Sequence, residues 1–165
     1  MFNVVDKCAG KLCAQLLAYI LLSCTLFTSV NAGSTQTKNY LRLEQSKISD
    51  KYDYKISSIG ALVFTGDTQG HIDLSYLESD FDNNEWTIDV GGGYVFNGDM
   101  SLFLGLGISL GYNQSNDDLI SAYYPEVGLV LDVSESIGVT VSVKRFYNRF
   151  VDNEDIIMMG LVFRE

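Results

Sequence analysis

Apolar and polar residues alternate along most of the chain with a period close to two, the pattern of strands that show two unlike faces. The clearest stretch is 101–112. Leu102, Leu104, Leu106, Ile108, Leu110 and Tyr112 share one face; Ser101, Phe103, Gly105, Gly107, Ser109 and Gly111 share the other. In 85–97, Trp86, Ile88, Val90, Gly92, Tyr94 and Phe96 oppose Glu85, Thr87, Asp89, Gly91, Gly93, Val95 and Asn97. Val127, Leu129, Leu131 and Val133 oppose Glu126, Gly128, Val130 and Asp132, and Ile137, Val139, Val141 and Val143 oppose Gly138, Thr140, Ser142 and Lys144. Ile72, Leu74 and Tyr76 alternate with His71, Asp73 and Ser75. Residues 40–47 set Leu41 and Leu43 against Arg42 and Glu44. Residues 54–64 read as a strand without clean parity, since Ile56 and Ile59 fall on opposite faces, and 156–163 are apolar throughout. These segments give eight strands.

The connections alternate too. Short turn-like links at 65–70, 97–99 and 134–136 are interleaved with longer polar links at 47–53, 78–84, 113–123 and 147–155. An even strand count with unlike ends predicts one all-β domain, an eight-stranded antiparallel up-and-down barrel.

Alternation alone does not say which face points outward. A soluble barrel turns its apolar residues inward; a membrane barrel turns them to lipid. The face carrying Gly105, Gly107 and Gly111 has small residues and no charge, which suits a cramped lumen better than water. Trp86 stands at one end of its apolar stretch and Tyr94 and Phe96 at the other. Ten residues at about 3.3 Å each, tilted by about 45°, span roughly 23 Å, close to the apolar band of a transmembrane barrel. The outward assignment makes Trp86, Tyr94, Phe96, Tyr112 and Phe163 an aromatic girdle.

Composition supports this. Fifteen glycines with a single proline disfavour a helical bundle. The net charge of −10 repels nucleic acid and argues against it as a partner. Lys7 and Lys11 precede an apolar run over 12–27, and Val30-Asn31-Ala32 ends in a small-x-small exit. This reads as a secretory signal over 1–32, leaving the barrel domain at 33–165. An alternative is lipoprotein processing at Cys24, within Leu21-Leu22-Ser23-Cys24. Cys8, Cys13 and Cys24 all lie in this segment, so cleavage after Ala32 leaves no thiol for a disulfide or a metal. An exported, cysteine-free barrel suits the Gram-negative cell envelope.

The chain resembles the small eight-stranded outer-membrane barrels, the class of the OmpA transmembrane domain and OmpX. The resemblance covers about 38–165 and rests on architecture and on the last strand, Ile156 to Glu165. Its Gly160, alternating apolar residues and terminal aromatic Phe163 look like the family's C-terminal assembly signal; Arg164 and Glu165 after the aromatic depart from it. The resemblance implies an integral, monomeric, multi-pass outer-membrane protein. It would contact outer-membrane lipid and lipopolysaccharide and meet the barrel assembly machinery through its last strand.

Inward parity predicts a lumen charge network of Arg42, Glu44, Asp73, Asp89, Glu126, Asp132 and Lys144, with Lys55 of undecided parity. Such charges must pair, because a lone buried charge is costly. The expectation is a salt-bridged polar plug. The alternative is a narrow cation-leaning channel of porin type, since acid outnumbers base here. His71, Asp73 and Ser75 suggest a Ser-His-Asp arrangement, and the resembled family includes lipid A hydrolases. His71, however, follows a short turn, at the end opposite the outer-leaflet acyl chains. No catalytic residue, resident metal or cofactor is therefore assigned, and His71 is expected to bond within the lumen. Acidic loops carrying Glu78, Asp80, Asp82, Glu85, Asp117, Asp118, Asp152, Glu154 and Asp155 suit divalent cations, without EF-hand spacing. Tyr123, Tyr124, Phe146, Tyr147 and Phe150 are expected as interface anchors or an adhesive rim, with Arg145 and Arg149 placed to meet lipid phosphate.

Overall fold

A computed structural model describes residues 37–46, 54–79, 84–114, 118–149 and 153–165. The expected signal segment over 1–32, its cysteines, Phe150 and the acidic residues Asp80, Asp82, Asp117 and Asp152 lie outside the described residues. Eight strands run in chain order: β1 (Thr37–Ser46), β2 (Tyr54–Thr65), β3 (Thr68–Ser79), β4 (Glu85–Phe96), β5 (Met100–Asn113), β6 (Asp118–Asp132), β7 (Ile137–Phe146) and β8 (Glu154–Arg164). Each pairs antiparallel with its neighbour, and β8 returns to β1, closing the barrel. Closure removes both sheet edges, which lipid cannot hydrate.

The apolar faces point outward. Leu102, Leu104, Leu106, Ile108 and Leu110 of β5 are exposed, Leu106 at 70%, while Phe103 and Ser109 between them are fully buried. The strand without clean parity is resolved: Tyr54, Ile56, Leu62 and Phe64 are buried inside and Ile59 is exposed. The sequence is ambiguous there because β2 carries apolar residues on both faces. Lys55 has outward parity opposite Glu78 and lies outside the lumen network.

Two links are shorter than the sequence suggests. The expected loop at 113–123 is largely strand, because β6 begins at Asp118 and pairs Asn113 with Asp118. Polar Asp118 and Ser121 mimic loop composition. The hairpin between β2 and β3 closes tightly, with Thr65 opposite Thr68 and Gly66 at φ 58°, where glycine avoids the strain of a side chain.

Large inward side chains are accommodated by glycines on adjacent strands. Tyr124 faces Gly107, and Phe103 faces Gly128. A Cβ at either glycine would collide with the opposing ring. The small lumenal face is thus the space into which neighbouring strands put bulk.

Candidate functional site

The lumen is layered. At the short-turn end, Tyr40, Leu62, Phe64, Val95, Phe103, Val130 and Val162 form a buried apolar cluster. At the long-loop end, Tyr54, Ile56, Leu77, Ala122, Tyr124, Phe146, Ile156 and Met158 form another. Between these two clusters lies a buried layer of charged and hydroxylic side chains that includes Arg42, Glu44, Asp73, Ser75, Asp89, Glu126 and Lys144.

Arg42 is the centre of the middle layer and is fully buried. In one register row it lies opposite Gly60, which lies opposite Asp73. The guanidinium crosses over Gly60; a Cβ there would strike Asp73. Arg42 Nε donates to Asp73 Oδ1 at 3.3 Å, and Nη2 donates to Asp73 Oδ2. Its Nη1 donates to Glu126 Oε1 at 3.4 Å, and Glu44 Oε2 lies 3.5 Å from Nε. Lys144, across the ladder from Glu126, brings Nζ to 3.9 Å from Asp73 and from Glu126. Thr140 donates to Glu44 at 3.3 Å. The forked guanidinium is what lets one cation serve three carboxylates.

The seven charges expected together therefore divide. Arg42, Glu44, Asp73, Glu126 and Lys144 converge. Asp89 is buried and takes its hydrogen bonds from the Ser75 and Thr87 hydroxyls. Asp132 stands apart at the short-turn mouth, paired with Lys38 at 3.3 Å and accepting from the Tyr40 hydroxyl.

The Ser-His-Asp geometry does not assemble. His71 Nε2 lies 3.0 Å from the Tyr124 hydroxyl, and Nδ1 lies 3.5 Å from Glu126 Oε2. Ser75 bonds Ser58 at 2.9 Å and donates to Asp89. Asp73 is engaged by Arg42, so each member of the trio serves a different partner.

Two expectations at the long-loop rim are corrected. Tyr124 and Phe146 are not interface anchors: they are buried in the lumen with ring centroids 4.8 Å apart. Both share inward parity, with Glu126 and Lys144 respectively, and that parity was the signal available in the sequence. Arg149 does not face lipid phosphate. Its side chain is buried, with Nε 3.4 Å from Glu85 and the guanidinium 5.0 Å above the Phe146 ring. Arg145 is half exposed beside Asp155 at 3.7 Å. Tyr123 and Tyr147 stack with centroids 5.0 Å apart, and Tyr123 is exposed.

The girdle residues have outward parity. Trp86 and Tyr112 pair across β4 and β5 near the long-loop rim; Tyr94 and Phe96 are exposed near the short-turn rim, and Phe163, half-buried, lies opposite Ile137.

No family model matches the chain, and no curated protein sequence does. Solved structures do. The N-terminal β-barrel domain of Pseudomonas aeruginosa OprF is 13% identical, with a TM-score of 0.61 over 80% of this chain and 100% of that one. The Yersinia pestis outer-membrane protein Ail, in a phospholipid nanodisc, is 16% identical, with a TM-score of 0.53 over 80% and 100%. Neisserial surface protein A is 12% identical, with a TM-score of 0.52 over 80% and 97%. The chain therefore has the fold of the small OmpA/OmpX-like outer-membrane barrels, with the apolar exterior that such a barrel turns to lipid.

Proposed function

We propose that this is a non-enzymatic, monomeric, integral outer-membrane barrel with a structural or surface-interaction role. Residues 1–32 serve as its export signal and 33–165 form the barrel domain. One observation supports the reading: buried apolar clusters stand at both ends of the lumen, and paired charges lie between them. A plugged lumen leaves the lipid face and the loops as the working surfaces. Glu78, Glu85, Asp118, Glu154 and Asp155 give the long-loop end its acidity among the described residues, which suits divalent cations bridging to lipopolysaccharide phosphate. The last strand, pairing with β1 to close the barrel, is the natural contact for the assembly machinery. The second reading, a narrow cation-leaning channel, draws on the excess of carboxylate over cation in the middle layer. The hydrolase reading has little support, since His71 and Ser75 are bonded elsewhere.

The test is the refolded protein in a planar bilayer, with cold and boiled gel mobility run on the same preparation. A heat-modifiable barrel that passes no unitary current is expected. Steady cation-selective steps from that barrel would replace the plug with the channel.

A further inference from the structure

The exterior of the barrel is not uniform. Gln45, Ser57, Tyr76, Trp86 and Tyr112 follow one another across β1 to β5 in a single register row near the long-loop rim. Tyr76 and Trp86 pack with centroids 4.6 Å apart. Beside them the row falls away at Ser57, leaving a groove of about 230 Å³ lined by Ser57, Ser58, Ile59, Leu74, Tyr76 and Trp86. Gln45 Nε2 donates to Ser57 Oγ at 3.4 Å on the exposed surface.

Two polar side chains on a lipid-facing wall are unusual, because hydrocarbon offers them no partners. Their row lies at girdle level, where lipid linkages meet the aromatic belt. The groove runs from that row onto Ile59 and Leu74 and is continuous with the apolar belt. A lipid chain is therefore the occupant in reach. The chemistry of the linkage follows from the polar pair. The Gln45 amide spends one N–H on Ser57, so the pair keeps two donors, the second N–H and the Ser57 O–H, which any linkage carbonyl can accept, and one acceptor, the Gln45 carbonyl oxygen, which needs a donor. An ester linkage only accepts; an amide N–H or a hydroxyl donates.

We propose that this groove holds one amide-linked hydroxyacyl chain of an outer-leaflet glycolipid, with the linkage at Gln45 and Ser57 and the chain along Ile59 and Leu74 beside Trp86. The inference rests on the membrane-barrel reading and adds a specific lipid site to it.

Trp86 is the single tryptophan of the chain, so its emission reports the groove directly. The refolded protein is placed in nanodiscs of dibromostearoyl phosphatidylcholine, which quenches tryptophan on contact. Unbrominated lipid A, which carries amide-linked hydroxyacyl chains, is then added, and equal acyl doses of unbrominated phosphatidylglycerol serve as the comparison. Lipid A is expected to restore more emission than phosphatidylglycerol. Ser57→Phe, which fills the gap, should abolish the difference; Val141→Phe, on the lipid-facing side of β7, should keep it. Heat-modifiable mobility confirms that each variant is folded, and the wild-type comparison decides the matter without either. Equal restoration by the two lipids overturns the site. Absence of any quenching by the brominated lipid would instead overturn the membrane reading itself.

Discussion

The two ends of the lumen are packed with different chemistry. At the short-turn end the packing is hydrocarbon: Leu62, Phe64, Val95, Phe103, Val130 and Val162 pack together, and one hydroxyl, on Tyr40, reaches outward to Asp132. At the long-loop end the apolar cluster is overlaid by polar clamps. Tyr54 donates to Glu154 at 2.6 Å across the closure, and Glu85 takes both Arg149 and the Asn113 amide. Asn148, beside Arg149, adopts φ 64°, uncommon for a residue with a side chain. Hydrocarbon packing depends on volume and is indifferent to salt. Clamped packing depends on geometry and charge. The first suits an end that stays shut; the second suits an end whose loops meet the outside.

The largest effect should come from the layer that both lids enclose. Arg42→Met removes the cation shared by Asp73, Glu44 and Glu126 and leaves their charge buried. Removing one partner of a buried ionic group typically costs about 3–5 kcal/mol. Urea unfolding of the refolded barrel in micelles should show that loss. A near-neutral result would mean that water reaches the layer and that neither lid seals.

Phe103→Ala tests the short-turn lid alone. It deletes the ring seated against Gly128, whose centroid lies 6.0 Å from that of Phe64. A buried aromatic truncated to alanine costs about 3 kcal/mol at the lower end of the measured range. The loss should be the same at low and high salt, read in the same unfolding assay.

How much of this was legible follows from what each inference needs. Parity needs only the chain, so the outward faces of β4 and β5, and the inward placing of Arg42, Asp73 and Lys144, could be read directly. Parity fails where both faces are apolar, as in β2, because Ile56 and Leu62 build lids while Ile59 meets lipid. Which charges touch needs register and distance along the barrel axis. Asp132 and Glu126 share a face of β6 but lie at different depths, so only Glu126 reaches Arg42. The match of Tyr124 to Gly107 is likewise a cross-strand fact. Tyr124 and Phe146 sit beside rim aromatics in sequence, while their parity with Glu126 and Lys144 points inward.

Glu85→Gln sharpens the contrast from the other end. Nothing is truncated; the change removes charge from the group that Arg149 and Asn113 approach. A hydrogen bond to a charged group is worth about 1.5–3 kcal/mol, so stability should fall by less than with Phe103→Ala. The readout that separates clamp from packing is local. Hydrogen exchange at Tyr147 to Arg149 should quicken, while amides around Val130 and Val162 in the opposite lid keep their protection. Uniform loss of protection would mean that the two ends open together.

The smallest effect belongs to the short-turn mouth. Lys38 and Asp132 are 3.3 Å apart, with side chains 18% and 26% exposed. Water already shares that pair, and Asp132 retains the Tyr40 hydroxyl, at 3.1 and 3.2 Å from its two oxygens, when the lysine is lost. Lys38→Gln should therefore cost no more than about 1 kcal/mol. The cost should shrink further as salt is raised, because exposed charges are screened. The same protein thus offers two ion-paired carboxylates on opposite sides of one hydrocarbon lid, Asp132 on the wet side and Asp73 on the dry side. If Lys38→Gln destabilised the barrel as much as Arg42→Met, in a salt-independent way, the boundary drawn at Phe64 and Phe103 would have to move outward past the mouth.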